Sequence, residues 1–446
     1  MLKQLANHWQ LSWPDPQQAI ILDDSHYLSY QQWHTMLPAA VQYALSQPGD
    51  TVLLYQPDSL YFSLWFVALA MQGKHIVLAP DNQPHTTQMV LKHCNWQVPV
   101  QLPPVSAAQA NAPLQLSLSK ECRISFFTSG SSGQPKLISK RLCQLLLEVQ
   151  TLERQFGSTL DANTLFAATV SQQHIYGLLF RLLWPLCSSR LLYRQQLSFF
   201  EQWQALLQQN KVVLVASPAH LARFDDIAKL SPQQQQISRI FSSGGPLPAP
   251  VPALYQQALG QAPTEVFGST ETGGIAFRQR RLPDIPWQAF TGVTLATDAQ
   301  QALQVMSPHL DNNDYFQTQD QVQLITNQQF HLLGRLDRII KLAEKRLSLP
   351  ELEQFCCNSE LVTEAAAVML SSPKVQLALV VVLSANGAVI LSDNGKLAMN
   401  NLLRQHLLQR FEPVLLPKRF RYLPALPYNQ QGKLPQPLLE ALFTDD

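Results

Sequence analysis

Short apolar runs and longer amphipathic or apolar stretches alternate along the first three quarters of the chain. The runs "TVLLYQP" (51–57), "KHIVLA" (74–79) and "KVVLVASP" (211–218) predict buried β-strands. Between them, "SLYFSLWFVALAMQG" (59–73) predicts a buried helix that ends at Gly73, and "LCQLLLEVQTLERQF" (142–156) has helical apolar spacing. Strands that alternate with helices are typical of an α/β domain with largely parallel sheets flanked by helices.

The pattern changes near residues 331–355. Beyond them, "QLALVVVLSANGAVILS" (376–392) contains two apolar runs around Asn386-Gly387, which predicts a β-hairpin. The stretch "LAMNNLLRQHLLQRF" (397–411) predicts a helix. We therefore expect a large N-terminal α/β domain over residues 1–336 and a small α+β C-terminal domain over residues 337–446.

Composition narrows the classes of function. With 446 residues, 46% hydrophobic and 14% charged, the chain can bury a large core. A net charge of +1 argues against an extended nucleic-acid surface. The N-terminus lacks the apolar region of a signal peptide, and the most apolar helical runs are too short to span a bilayer, so we expect a soluble, cytoplasmic protein. Six cysteines without a CxxC spacing predict reduced thiols and neither a disulfide framework nor a zinc site.

The stretch "TSGSSGQPK" (128–136) is the first candidate for chemistry. It lies between two strand-like segments, "RISFF" (123–127) and "KLISK" (136–140). Its Thr, Ser and Gly residues offer hydroxyl and backbone N–H donors, and Lys136 adds a positive charge, which suits a loop that wraps phosphate. It is not a Walker A loop, because Pro135-Lys136 replaces Gly-Lys-Ser/Thr. On its own, the composition fits a flexible linker equally well.

Five further segments decide between these interpretations. They are "SSGGPLP" (242–248), "VFGSTETGG" (266–274), "YFQTQD" (315–320), "GRLDRIIKLAEKR" (334–346) and "YNQQGKLPQ" (428–436). With the loop, they resemble, in the same order, the motifs of the adenylate-forming superfamily (the AMP-dependent synthetases and ligases), which includes acyl-CoA synthetases, peptide-synthetase adenylation domains and luciferases. The resemblance covers roughly residues 120 to 440. It implies an AMP-forming acid–thiol ligase that uses ATP and Mg²⁺, with a mobile C-terminal domain.

The resemblance also implies roles for individual residues. The phosphates would be held by Thr128, Ser129, Gly130, Ser131, Ser132, Gly133 and Lys136. Nucleotide contacts would further come from Gly244 and Gly245 at the adenine, from Phe267, Gly268 and Thr270, and from Asp320 and Arg335 at the ribose. Glu271 would bind the metal, Lys433 would reach the α-phosphate and the substrate carboxylate, and Asp337 would be the hinge between the two half-reactions. His174, Gly273 and Gly274 would flank the acyl pocket, although a buried, hydrogen-bonded histidine is an alternative for His174.

The acid and the thiol acceptor stay open at this level. The two glycines at 273 and 274 suit a flat aromatic acid, and a short N-terminal region suits ligases that feed carrier-based assembly lines, so an aryl or a fatty or hydroxy acid is expected. Glu344 stands where the family has a glycine beside the pantetheine tunnel. "PKRFRY" (417–422) supplies Lys418, Arg419 and Arg421 as a docking patch for an acidic acyl carrier protein, or merely a solvated edge. Free coenzyme A as acceptor, and a non-catalytic nucleotide-binding homologue, are the alternatives.

Overall fold

The structure, a computed structural model, describes residues 2–5, 8–13, 15–103, 115–129, 135–224, 226–282, 284–342, 345–370, 376–428 and 434–444. The chain divides into two compact units. The first unit comprises Met1–Thr128, Pro135–Thr294 and Val305–Phe316, and the second comprises Ser129–Gln134, Leu295–Gln304 and Gln317–Asp446.

The first unit contains most of the strands and helices. Its strands are β1 (Leu2–Gln4), β2 (His8–Ser12), β3 (Ala19–Asp23), β4 (His26–Ser29), β5 (Thr51–Leu54), β6 (His75–Leu78), β7 (Trp96–Gln97), β8 (Gln115–Ser119), β9 (Arg123–Ser129), β10 (Pro135–Arg141), β11 (Leu165–Ala168), β12 (Leu191–Tyr193), β13 (Val212–Ala216), β14 (Ile237–Ser242), β15 (Thr264–Ser269), β16 (Gly273–Gln279) and β17 (Trp287–Ala289). Its helices are α1 (Tyr30–Ser46), α2 (Ser59–Met71), α3 (Pro84–Leu91), α4 (Leu142–Phe156), α5 (Ile175–Gly177), α6 (Trp184–Cys187), α7 (Phe200–Leu207), α8 (Pro218–Arg223) and α9 (Pro250–Leu259). A π-helical stretch, Leu178–Leu183, joins α5 to α6.

The sheets of this unit are largely parallel, as the alternating pattern predicts. One sheet has the order β10-β9-β6-β5-β7, and β9, β6, β5 and β7 pair in parallel. In the large sheet, β15, β14, β13, β11, β12 and β3 follow one another in parallel. Antiparallel strands extend it, β16 and β17 beyond β15 and β4 beyond β3. A small antiparallel sheet, β1-β2-β8, completes the set.

Burial explains why the central strands read as continuous apolar runs. Every residue of β13 is buried, as expected for a parallel strand covered on both faces. Helix α2 is apolar on nearly all sides and buried over most of its length, and the side chain of Asp58 caps its first turn by accepting from the N–H groups of Leu60 and Tyr61. No helix in the described ranges is long and apolar enough to cross a membrane. All six cysteines are free thiols.

The second unit is a smaller α+β assembly. Its strands are β18 (Thr294–Thr297), β19 (Ala302–Met306), β20 (Phe316–Thr326), β21 (Gln329–Arg335), β22 (Ile339–Leu342), β23 (Lys345–Ser348), β24 (Val362–Leu370), β25 (Gln376–Leu383) and β26 (Arg419–Tyr422), and its helices are α10 (Leu349–Cys357), α11 (Ala385–Leu408) and α12 (Gln436–Ala441). Strands β18, β19, β20 and β21 are neighbours in that order within one sheet, and the remaining strands form the sheets β22-β23 and β24-β25-β26. The predicted domain boundary at residues 336 and 337 lies inside this unit, between β21 and β22. That residues 337–446 form a separate mobile domain stays a prediction.

The hairpin predicted at Asn386-Gly387 is wrong. Strand β25 ends at Leu383, and the next residues begin helix α11, which Ser384 caps by accepting a 3.2 Å hydrogen bond from the N–H of Gly387. A Cβ atom on Gly387 would lie 2.3 Å from the carbonyl oxygen of Leu361, so this glycine permits a close approach instead of a turn. The antiparallel partner of β25 is the preceding strand, β24.

Candidate active site

The carboxyl ends of neighbouring parallel strands in the large sheet bring several predicted site residues to one edge. His174 lies in the segment after β11, Gly244 and Gly245 follow β14, and the turn with Thr270 and Glu271 follows β15. Ligands of open α/β sheets bind outside the carboxyl ends of the strands. The predicted acyl, adenine and metal residues of the first unit therefore share the edge where a ligand is expected.

Local hydrogen bonds hold the turn between β15 and β16. The hydroxyl of Ser269 accepts from the N–H of Thr272 at 3.2 Å, and the hydroxyl of Thr272 accepts from the N–H of Ser269 at 3.1 Å. Glu271 lies between them and is partly exposed. Among the described residues, its carboxylate has no hydrogen bond or ion pair. One available carboxylate fits the protein's share of a Mg²⁺ site, because this ion usually takes its remaining ligands from phosphate and water.

A buried lysine that the sequence reasoning missed fixes the backbone of this turn. Lys140 on β10 is 4% exposed, and its Nζ donates to the carbonyl oxygens of Glu271, at 2.7 Å, and of His309, at 3.0 Å. Burial lowers the pKa of Lys140, and the nearby carboxylates, Glu148 first among them, oppose that shift. The lysine thus ties the strand after the phosphate loop to the turn that carries the proposed metal ligand.

Helix α4 contributes a buried polar face beside Lys140. Gln144, Glu148 and Thr151 follow one another at the i, i+4, i+7 spacing that places side chains on one face of a helix. Gln144 donates to the carbonyl oxygen of His309 at 2.9 Å, and the hydroxyl of Thr151 lies 3.3 Å from Nε2 of His309. This polar stripe within an apolar helix is the sequence signal that could have revealed the cluster.

Glu148 occupies the space beside the two glycines that the sequence assigns to the acyl pocket. Its Oε1 accepts a hydrogen bond of 2.6 Å from the N–H of Gly274. A Cβ atom on Gly273 would lie 2.6 Å from Oε2 of Glu148, and one on Gly274 would lie 3.1 Å from the ring of Phe290. On this side, the protein's own side chains fill the room that the glycines leave. A substrate-binding role for Gly273 and Gly274 stays a prediction.

The phosphate-loop segment has the predicted strand–loop–strand setting. Strand β9 runs to Ser129, strand β10 begins at Pro135, and helix α4 follows directly after Arg141. Lys136 lies on β10 and is exposed. Gly130, Ser131, Ser132 and Gly133 lie outside the described residues, as do the side chains of Thr128 and Ser129.

Strand β15 pairs irregularly at Phe267 and Gly268. The pairing of β15 with β16 shifts register between these two residues, and a Cβ atom on Gly268 would lie 2.2 Å from the carbonyl oxygen of Gly273. The ring of Phe267 packs against Trp287, with centroids 5.4 Å apart. The hydroxyl of Ser243 donates to the carbonyl oxygen of Val266 at 2.8 Å and so ties the Gly244 loop to β15.

In the second unit, the structure brings the two predicted ribose-binding residues together. Asp320 and Arg335 are directly opposite each other in the β20–β21 ladder, with Nη1 and Oδ1 3.5 Å apart. Arg335 also binds Asp337, the predicted hinge, through Nη2 at 2.6 Å and Nε at 2.9 Å. Burial raises the pKa of Asp320, and the charge of Arg335 counteracts part of this rise.

Comparison with known proteins decides the family of the central segment. Residues 119–300 match the family model described as AMP-binding enzyme. This segment is an AMP-binding enzyme domain. The AMP-binding domain contains the phosphate loop, the Gly244 loop and the Glu271 turn, so the predicted resemblance to the adenylate-forming superfamily is confirmed.

Relatives extend this result beyond the AMP-binding domain. The chain is 27% identical to a 4-coumarate–CoA ligase of Cereibacter sphaeroides over 70% of either protein. It is 22% identical to enterobactin synthase component F of Shigella flexneri over 93% of this chain, which spans 38% of that larger protein.

Solved structures share the fold over nearly the whole chain. An ATP-bound RpMatB–BxBclM chimera superimposes with a TM-score of 0.83 at 17% identity, covering 97% of both chains. The anthranilate CoA ligase AuaEII in complex with anthranoyl-AMP gives a TM-score of 0.74 at 14% identity, covering 96% of this chain and 94% of its own. At such identities these likenesses show the fold, and the predicted α/β class with a large sheet and flanking helices is confirmed.

Outside the AMP-binding domain, the predicted docking patch is partly used within the protein. Lys418 is exposed. Arg419 donates to the carbonyl oxygen of Phe443 at 2.9 Å and Arg421 to that of Leu442 at 2.8 Å, and each guanidinium lies 5.3 Å from the centroid of the Phe443 ring. Both arginines remain partly exposed. Lys433 and Glu344 lie outside the described residues.

Proposed function

We propose that this protein activates a carboxylic acid with ATP and then transfers the acyl group to a thiol. A carboxylate oxygen of the acid attacks the α-phosphorus of ATP, the bond to pyrophosphate breaks, and acyl-AMP forms. The sulfur of a thiolate then attacks the acyl carbon, and AMP leaves. The observation that carries this proposal is the gathering of the Gly244 loop and the Glu271 turn at the carboxyl edge of β14 and β15 within an AMP-binding enzyme domain.

The first half-reaction needs positive charge and hydrogen-bond donors around phosphate. N–H and hydroxyl groups of residues 128–133 and the charge of Lys136 would hold the phosphates. Mg²⁺ bound by Glu271 would neutralise phosphate charge. Lys433 would bind the α-phosphate and the substrate carboxylate, and Asp320 with Arg335 would bind the ribose. His174 would flank the acid.

For the acceptor, we favour the phosphopantetheine arm of an acyl carrier protein. Pantetheine is neutral, so Glu344 need not exclude it, whereas the same carboxylate would repel the charged nucleotide end of coenzyme A if it lies near the path of that molecule. The basic side chains of Lys418, Arg419 and Arg421 would attract an acidic carrier. The alternative is free coenzyme A, which two of the similar proteins carry in their names. Those names also favour an aryl acid over a fatty or hydroxy acid. We also propose that the protein is located in the cytoplasm.

Pyrophosphate exchange tests the activity directly. The protein is incubated with Mg·ATP, labelled pyrophosphate and one acid at a time, drawn from aryl, hydroxy and fatty acids. Acid-dependent return of label into ATP is expected for at least one acid. No exchange with any acid, combined with tight ATP binding, would favour the non-catalytic nucleotide-binding homologue instead.

A second assay separates the acceptors. Thioester formation is followed with a phosphopantetheine-loaded carrier protein and with coenzyme A, at low and at high salt. Because complementary charge raises encounter rates and is screened by salt, the carrier should be preferred and should lose more of its advantage at high salt. If coenzyme A equals or exceeds the carrier in both conditions, the carrier is not the acceptor.

A further inference from the structure

Two parts of the molecule that the proposed reaction uses are joined by one side chain. Strand β10 leaves the phosphate-loop segment at Pro135, and the turn between β15 and β16 carries Glu271. Lys140 lies on β10, 131 positions before Glu271, and its Nζ donates to the backbone oxygen of that residue at 2.7 Å. The strand behind the phosphate loop is therefore bonded to the backbone of the proposed metal ligand itself.

The surroundings make Lys140 the essential partner of that oxygen. In the described part of the chain, no other group donates to the carbonyl of Glu271. The second acceptor of Lys140, the carbonyl of His309, has an additional donor in Gln144 at 2.9 Å. A hydrogen bond from a charged donor in a buried setting is stronger than one between neutral groups. Loss of Lys140 therefore removes the donor to the carbonyl oxygen of Glu271, whereas the carbonyl oxygen of His309 keeps its hydrogen bond from Gln144.

We propose that Lys140 is a positioning residue for Glu271. By fixing the backbone oxygen of Glu271, it sets where the carboxylate stands relative to the strand that leaves the phosphate loop. The inference rests on the proposed function, because it gives Glu271 the role of metal ligand. Lys140 itself has its amine bonded to backbone carbonyls and is not assigned a contact with substrate.

The test compares Lys140→Met with Gln144→Leu. Both substitutions remove donors from the same buried cluster, but only the first removes the donor to Glu271. Amide hydrogen exchange is measured by mass spectrometry on peptides covering residues 268–276, without nucleotide. In Lys140→Met, the exchange of this segment should rise on the order of tenfold. In Gln144→Leu, it should stay within about twofold of the wild type.

Mg²⁺ titrations of pyrophosphate exchange give the functional comparison. Lys140→Met should raise the apparent KM for Mg²⁺ more than it lowers kcat, whereas general damage to the fold would lower kcat without this selectivity. Equal exchange behaviour of the two variants, or an unchanged segment 268–276 in Lys140→Met, would overturn the positioning role. If Lys140→Met does not fold, Lys140→Gln, which keeps a shorter donor, replaces it in the same comparison.

The two proposals can fail separately. Hydrogen exchange needs neither acid nor catalysis, so it judges Lys140 even if no acid supports activity. A wild-type protein that shows no pyrophosphate exchange would refute the proposed function, while faster amide exchange in Lys140→Met would still establish the contact as the one that orders the turn.

Discussion

Oε1 of Glu148 accepts a 2.6 Å hydrogen bond from the N–H of Gly274, although 126 positions separate the two residues. The other carboxylate oxygen is buried and has no hydrogen-bond partner among the residues that the structure describes. Glu148 is 4% exposed, and its charge opposes the lowering of the pKa of Lys140 by burial. A helix that follows the phosphate-loop strand is thus bonded to the strand that follows the Glu271 turn.

Removing this carboxylate should destabilise the first unit strongly. Glu148→Ala leaves the N–H of Gly274 buried without its acceptor and removes a carboxylate charge that offsets the burial of Lys140, and a loss of about 3 kcal/mol in the free energy of unfolding is expected. Glu148→Gln keeps an acceptor of the same shape and should lose clearly less. Urea denaturation followed by tryptophan fluorescence measures both. A Gln variant as unstable as the Ala variant would show that charge, not the hydrogen bond, is what matters.

Gly273→Ala should lower the stability of the protein more than Gly260→Ala does. Gly273 has a φ of +70°, and its new Cβ would lie 2.6 Å from Oε2 of Glu148. Gly260, which ends α9, also has a φ of +70°, but the nearest atom to its Cβ position is 3.8 Å away. Gly260→Ala should therefore show only the backbone strain, about 1 kcal/mol. Thermal unfolding compares the two variants, and pyrophosphate exchange should fall only in Gly273→Ala. Equal losses of thermal stability in the two variants would mean that the side chain of Glu148 can move away from the new methyl group.

Acidification should weaken the fold through His309. Burial, with a further contribution from Lys140, lowers the pKa of His309 below its ordinary value of 6.5, and the charge of Glu148 opposes this. Between the folded-state pKa and 6.5, the unfolded chain binds a proton that the folded chain does not. Stability therefore falls as pH falls through this window.

Urea midpoints measured at about pH 7.5 and about pH 5.5 test this. His309→Gln should lose less stability between the two pH values than the wild type, and His85→Gln, at an exposed position on α3, should behave like the wild type. An identical pH dependence of the wild type and His309→Gln would exclude His309 as a source of acid sensitivity.

Two substitutions of Asp337 separate its ion pair from its proposed hinge role. Asp337→Ala and Asp337→Pro both remove the carboxylate that binds Arg335. Only proline also restricts φ, and hinges work by large changes in backbone angles. We expect Asp337→Pro to retain acyl-AMP formation and to lose thioester formation, while Asp337→Ala retains both. Separate assays of acyl-AMP formation and of thioester formation test this expectation. If Asp337→Pro performs both half-reactions normally, the hinge lies elsewhere.

Lys433→Ala should affect the two half-reactions unequally. If Lys433 stabilises charge only during adenylation, its loss should slow acyl-AMP formation by about 10²–10³-fold and leave transfer from pre-made acyl-AMP nearly unchanged. Lys418→Ala, at an exposed lysine of the same unit, should leave adenylation at the wild-type rate. Equal losses in both half-reactions of Lys433→Ala would contradict the proposed role.

The sequence predicts the elements around the site better than the contacts between them. Apolar runs locate β5, β6 and β13, and parallel topology then brings the loops after β11, β14 and β15 to one edge. Motif order locates Asp320 and Arg335, which the β20–β21 register places opposite each other. The bond from Lys140 to Glu271 leaves no such signal, because a backbone oxygen can be bound by any donor that the fold brings near. Asn386-Gly387 misleads for a related reason, since capping by Ser384 and packing on Leu361 override the turn preference of the dipeptide.

The contacts of Arg419 and Arg421 with the turn that follows α12 have a practical consequence. Phe443 is 4% exposed and belongs, with Leu439, to the apolar cluster on the β24–β25 sheet. A chain cut before Leu442 by a protease or by cloning would lose both arginine contacts and uncover that cluster. Such a fragment should aggregate and be degraded by quality-control proteases.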